Sequence, residues 1–148
     1  MTNQKRNLIG LDFSELSAEL TALGMETFRA QQVWSWIYCH GGHDFRSITT
    51  LAKPLREMLA SHFTVARPSV PLYQKSEDGT QKWLVKMTDG SEVECVHIPE
   101  TDRGALCVSS QVGCTMTCRF CHTGTQRLVR NLEASEIVGQ VMLARDYL

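Results

Sequence analysis

The sequence predicts an α/β chain: a small helical domain, a β-hairpin segment, and the first βα unit of an incomplete α/β barrel. Three observations carry that prediction. Apolar residues recur at helical spacing three times in the first 63 positions. Two Asp-Gly pairs, Asp78-Gly79 and Asp89-Gly90, separate runs of strand-forming residues. From Ala105 a strand, a loop with three cysteines and an amphipathic helix follow one another. The predicted domains are residues 1–66, helical; 67–104, hairpin and strand extension; and 105–148, the start of the barrel.

Taken in order, Asp12 is a helix cap with Glu15 as its capping-box partner, and Phe13, Leu16, Leu20 and Leu23 form the stripe. Gly24 stops this helix. A second runs from about Glu26 to Tyr38 with Ala30, Val33, Trp34 and Ile37 on one face. Trp34 is expected in the core, and Trp36 points elsewhere, as a candidate surface contact. Pro54 opens a third helix, with Leu55, Met58, Leu59 and His62 in line. Pro68 and Pro71 mark a linker. Strands are then expected over 72–75, 82–87, 92–98 and 105–109. Finally, Asn131 caps a helix whose apolar stripe is Ala134, Ile137, Val138, Val141, Met142 and Leu148.

The charge balance limits the possible partners. Net charge is −1, so no global field draws the chain to nucleic acid, and any such contact must come from local patches. Arg119, His122, Arg127 and Arg130 are the densest basic group; they serve phosphate contact, tune a metal centre held by the neighbouring cysteines, or form an ordinary basic loop. The first ten residues carry no apolar stretch fit for an export signal, and no run approaches membrane-spanning length. Six cysteines in such a chain argue for a reducing, cytoplasmic setting.

Cys114, Cys118 and Cys121 lie within eight residues, spaced C-x3-C-x2-C. Thiolates are soft ligands that favour iron–sulfur clusters, zinc and copper(I). Three ligands are one short of a closed structural zinc site, and they would leave one iron of a [4Fe–4S] cluster open. Two blander readings compete. Cys118-Arg119-Phe120-Cys121-His122 fits a haem-attachment pattern, which would need export and leave Cys114 idle. His122, His97 or Cys107 would be the fourth ligand of a zinc knuckle.

The cysteine spacing, with Phe120 just before the last cysteine, resembles the radical S-adenosylmethionine (SAM) enzymes. The flanks Cys107-Val108-Ser109-Ser110-Gln111-Val112-Gly113 and Arg130-Asn131-Leu132 narrow the resemblance to the RlmN-type proteins. Those are dual-specificity methyltransferases of adenine C2 in 23S ribosomal RNA and transfer RNA. The segment Phe28-Arg29-Ala30-Gln31-Gln32-Val33-Trp34 is similar to their N-terminal domain, which implies RNA contact.

The resemblance implies a [4Fe–4S] cluster on Cys114, Cys118 and Cys121, with Phe120 beside the cofactor and SAM as the second cofactor. It implies a methyl-cysteine intermediate on a cysteine this chain lacks, so the chain is expected to be the front of a longer protein and inactive alone. Glu94 matches the family's proton acceptor. Alternation places it on the face of Val96 and Ile98, where a carboxylate needs a partner or a function. Cys107 matches a cysteine that helps release product through a disulfide; Cys39 and Cys95 have no such match and read as structural. The implied partners are the two RNAs and a flavodoxin- or ferredoxin-type electron donor, with no membrane contact and a monomeric state. The alternatives are C8 methylation by the related resistance enzymes, which Val112 weighs against, and a non-catalytic zinc-bound RNA-binding module.

Overall fold

The computed structural model describes residues 5–148, which divide into two compact units that part between Ala66 and Arg67. Among the described residues there are four α-helices, and no helix is long and apolar enough to cross a membrane. The chain is mixed α/β, with antiparallel sheet confined to the second unit.

In the first unit, α1 (Phe13–Ala22) starts at Asp12, whose carboxylate accepts from the Glu15 N–H while Glu15 accepts from the Asp12 N–H, both at 2.8 Å. Its end is closed by Gly24 at φ 78°, with Gly24 N–H donating to Thr21 and Met25 N–H to Leu20. That pairing satisfies carbonyls the helix leaves open. Helix α2 (Thr27–Tyr38) buries Ala30, Val33 and Ile37. Trp34 is only half-buried and meets the Phe13 ring edge-on at 5.6 Å. Trp36 is not a free surface ring: its indole lies over Gly42, where a Cβ would fall 2.2 Å from it, and against Phe45. Helix α3 (Lys53–His62) buries Leu59 and leaves His62 exposed. Two short parallel strands, β1 (Arg6–Asn7) and β2 (Phe63–Thr64), close the unit.

The second unit is built on a four-stranded antiparallel sheet in chain order: β3 (Ser69–Lys75), β4 (Gln81–Lys86), β5 (Glu92–Pro99) and β6 (Gly104–Cys107). The first two connections are the same turn used twice. Gly79 and Gly90 sit at φ 86° and 88°, and Asp78 and Asp89 each accept from the N–H two residues on. Glycine alone takes that φ without strain. One sheet face buries Trp83, Val85, Val93 and Cys95 with Leu143 and Ala144 of α4 (Ala134–Tyr147).

Helix α4 departs from the expected pattern in two ways. Asn131 does not cap it; that residue lies in the short strand β8 (Arg130–Asn131) and accepts from Gln111. The helix begins instead after Glu133, whose N–H donates to Glu136 at 2.9 Å. The buried face carries Gly139, Gln140, Met142, Leu143 and Ala144, while Val141 is 46% and Leu148 62% exposed. A polar residue takes the core position because Gln140 has its amide fully bonded there, so burying it costs little.

Candidate functional site

The cysteine loop grows from a narrow neck. Strand β7 (Gln111–Val112) pairs antiparallel with β8, and Val129 N–H donates to Val112 at 2.8 Å. Gly113 (φ 77°) makes the neck possible: a Cβ there would lie 2.0 Å from the Arg127 carbonyl oxygen. Gly124 plays the matching part inside the loop, where a Cβ would meet the Cys118 backbone at 2.6 Å. Between them Thr117 takes φ 48°, the one non-glycine residue with positive φ among the described residues. Such a conformation costs about 1–2 kcal/mol. It turns the chain sharply between Cys114 and Cys118. The Met116 N–H points at Cys114 Sγ, 3.3 Å away.

Cys114 and Cys118 are half-buried and Cys121 is exposed; none is in a disulfide. Phe120 is 93% exposed. The donor chemistry fits a thiolate-ligated cluster, with three soft sulfurs on one loop. Among the described residues no three His, Cys, Asp or Glu side chains are gathered closely enough to hold a metal ion.

Glu94 and Cys107 are brought to one face of the sheet. Register sets Val96 beside Cys107 and Leu84 beside Glu94, so Lys82, Leu84, Glu94, Val96, Ile98, Ala105 and Cys107 share the side away from α4. That face is open rather than buried. Glu94 is 46% exposed at its side chain and accepts an ion pair from Lys82 Nζ at 2.6 Å. The sequence pointed to the carboxylate but not to Lys82, whose partnership depends on strand register. Cys95 lies on the opposite, buried face, where burial, with a smaller contribution from Cys107, pushes its thiol up to about 11. It stays a neutral core thiol.

The expected basic group does not survive intact. Arg130 donates to Asp89 at 2.7 Å and to both Glu136 oxygens at 2.7 Å. Those hydrogen bonds hold the Asp89 carboxyl down at about 2 and lower that of Glu136, while raising Arg130 itself. Arg130 is therefore a tie between the β4–β5 turn, the loop neck and the start of α4. Arg119, His122 and Arg127 remain exposed on the loop.

Residues 6–65 match the family described as "Ribosomal RNA large subunit methyltransferase N-terminal domain". The curated "Dual-specificity RNA methyltransferase RlmN" of Rhodospirillum rubrum is 62% identical over 95% of this chain and 33% of that protein. That of Dinoroseobacter shibae is 58% identical over 96% of this chain and 37% of its own length. The chain is similar to the N-terminal portion of RlmN-type proteins. It spans about a third of the length of these relatives. A crystal structure of a radical SAM methyltransferase from Sphaerobacter thermophilus superposes on 96% of this chain and 43% of its own, with a TM-score of 0.82 at 37% identity. The RlmN likeness thus runs through both units and across the cysteine loop.

Proposed function

We propose that this chain is the cluster-binding and proton-accepting part of a radical SAM methyltransferase that methylates C2 of adenine in 23S ribosomal and transfer RNA, in the cytoplasm. The observation that carries the reading is the pairing of two features in one unit. Three disulfide-free thiols sit on a loop pinched at its neck, and a carboxylate and a further thiol share one open sheet face. The relatives at 56–62% identity bear names that fit it.

In this reading Cys114, Cys118 and Cys121 hold a [4Fe–4S] cluster, and Phe120 lies against bound SAM. The chemistry such a group supplies when bound is one-electron cleavage of SAM. Glu94 Oε accepts the proton that leaves adenine C2, and Lys82 holds that carboxylate in place. Cys107 shares the open face with Glu94 and takes part in product release. β6, the loop and α4 form the opening βα unit of the barrel, and the first unit contacts RNA. An external flavodoxin- or ferredoxin-type protein supplies electrons, and the protein acts as a monomer.

Anaerobic reconstitution with iron and sulfide tests the site. About four irons and four sulfides per chain are expected, and Cys118→Ala should lose them; stoichiometric zinc without sulfide would instead support a binding module. The chemistry is tested in a chimera in which this chain replaces the matching third of the Rhodospirillum rubrum protein. Glu94→Gln should keep the cluster and SAM cleavage yet stall methylation. Normal methylation by that variant would sink the role of Glu94, and methylation at C8 would overturn the C2 assignment.

A further inference from the structure

The register of β5 and β6 would set Glu94 opposite Ser109, two positions beyond Val96 and Cys107. The ladder does not continue there. Ser109 gives its peptide group to α4: its N–H donates to Gln140 Oε1 at 2.8 Å, and its carbonyl accepts from Gln140 Nε2 at 2.8 Å. Gln140 is fully buried. Its amide thus replaces the neighbouring strand as the partner of Ser109. The sheet contact is kept by the side chain alone, through Ser109 Oγ donating to the Glu94 carbonyl at 2.7 Å.

We propose that Gln140 and Ser109 form a positioning clasp that sets the spacing between Glu94 and Cys107. Ser109 lies two residues past Cys107 and bonds directly to the backbone of Glu94, so a short stretch of chain links the two members of the pair through it. Gln140 fixes Ser109 from the rigid side, since an amide bonded at both ends inside a core has one orientation. Gln140 is buried away from the open face, and both residues act through Glu94 and Cys107. The assignment of a catalytic task to that pair rests on the function proposed above, whereas the clasp itself is a geometric claim.

The test reads geometry directly. In a Glu94→Cys background, a short bis-alkylating reagent that bridges only neighbouring thiols should link the introduced thiol to Cys107, as followed by peptide mapping of the whole chain. Adding Ser109→Ala should slow that link about fivefold, the loss expected for one hydrogen bond. Ser109→Thr, which keeps the hydroxyl, should restore it. Gln140→Ala should slow it further and expose the Ser109 N–H to rapid hydrogen exchange. Urea unfolding of the same proteins separates spacing from stability. An unchanged linking rate in Ser109→Ala would overturn the proposal. So would a rate that falls only in step with global stability. Neither result depends on cluster binding or methylation, so failure of the clasp is distinguishable from failure of the proposed function.

Discussion

Gly113→Ala should open the neck of the cysteine loop, and Gly90→Ala supplies its control. Both glycines have positive φ, 77° and 88°, so each alanine carries about 1–2 kcal/mol of backbone strain. At Gly90 nothing lies within 4 Å of the added carbon, and strain is the whole cost. At Gly113 the carbon would fall 2.0 Å from the Arg127 oxygen, 2.7 Å from its carbonyl carbon and 3.1 Å from Leu128 Cα. These are backbone atoms, so the strands must part. Parting them breaks Cys114 N–H to Gln126 (3.3 Å) and Val129 N–H to Val112 (2.8 Å). At about 1 kcal/mol each, these losses bring the cost to roughly 3–4 kcal/mol against 1–2 for the control. Urea denaturation measures both, and iron and sulfide content after reconstitution should fall in Gly113→Ala alone. Equal destabilisation of the two variants, with equal iron content, would refute the clash argument.

Three further outcomes follow from the packing and the charges. Leu143→Ala should cost about 2–5 kcal/mol, and Val141→Ala less than about 0.5, in thermal unfolding, because only the first faces the sheet. Asp12→Ala should cost about 1 kcal/mol by removing one arm of the α1 capping box, read by the same melt. The Asp89 carboxyl is lowered by Arg130 to about 2, so its contribution is fully present above the ordinary aspartate value near 3.9 and is lost as pH falls toward 2. Asp89→Asn should therefore flatten the pH dependence of the urea midpoint between about pH 4 and 2; an unchanged slope would exclude the Arg130 tie as its source.

What the sequence made legible was local chemistry. The Asp12–Glu15 cap, the stop at Gly24 and both Asp-Gly turns involve residues within a few positions of each other, and each folds as its composition dictates. The face of α4 was misread because Gln140 is satisfied by Ser109, 31 residues away. Judged by its own helix, a glutamine belongs outside and Val141 inside. Asn131 is a good cap in isolation, yet it is drawn into the neck by Gln111, 20 residues earlier. Arg130 looked like free positive charge because Asp89 lies 41 residues before it. The three cysteines and Glu94 stood out by spacing and by alternation. The open character of the Glu94 face, and its partner Lys82, depend on which side of the sheet α4 covers.

The order of the sheet has a kinetic consequence. Each of β4, β5 and β6 pairs with the strand made just before it, and tight five-residue turns join β3, β4 and β5. Such a meander closes only short loops, which keeps the entropic barrier low and its formation fast. The neck is different, since β7 must wait for β8 across the whole cysteine loop. During synthesis, the wall bearing Glu94 can therefore stand complete while the loop is still unclosed. Among the strand pairings of this unit, the neck that carries the thiols is thus the last to close.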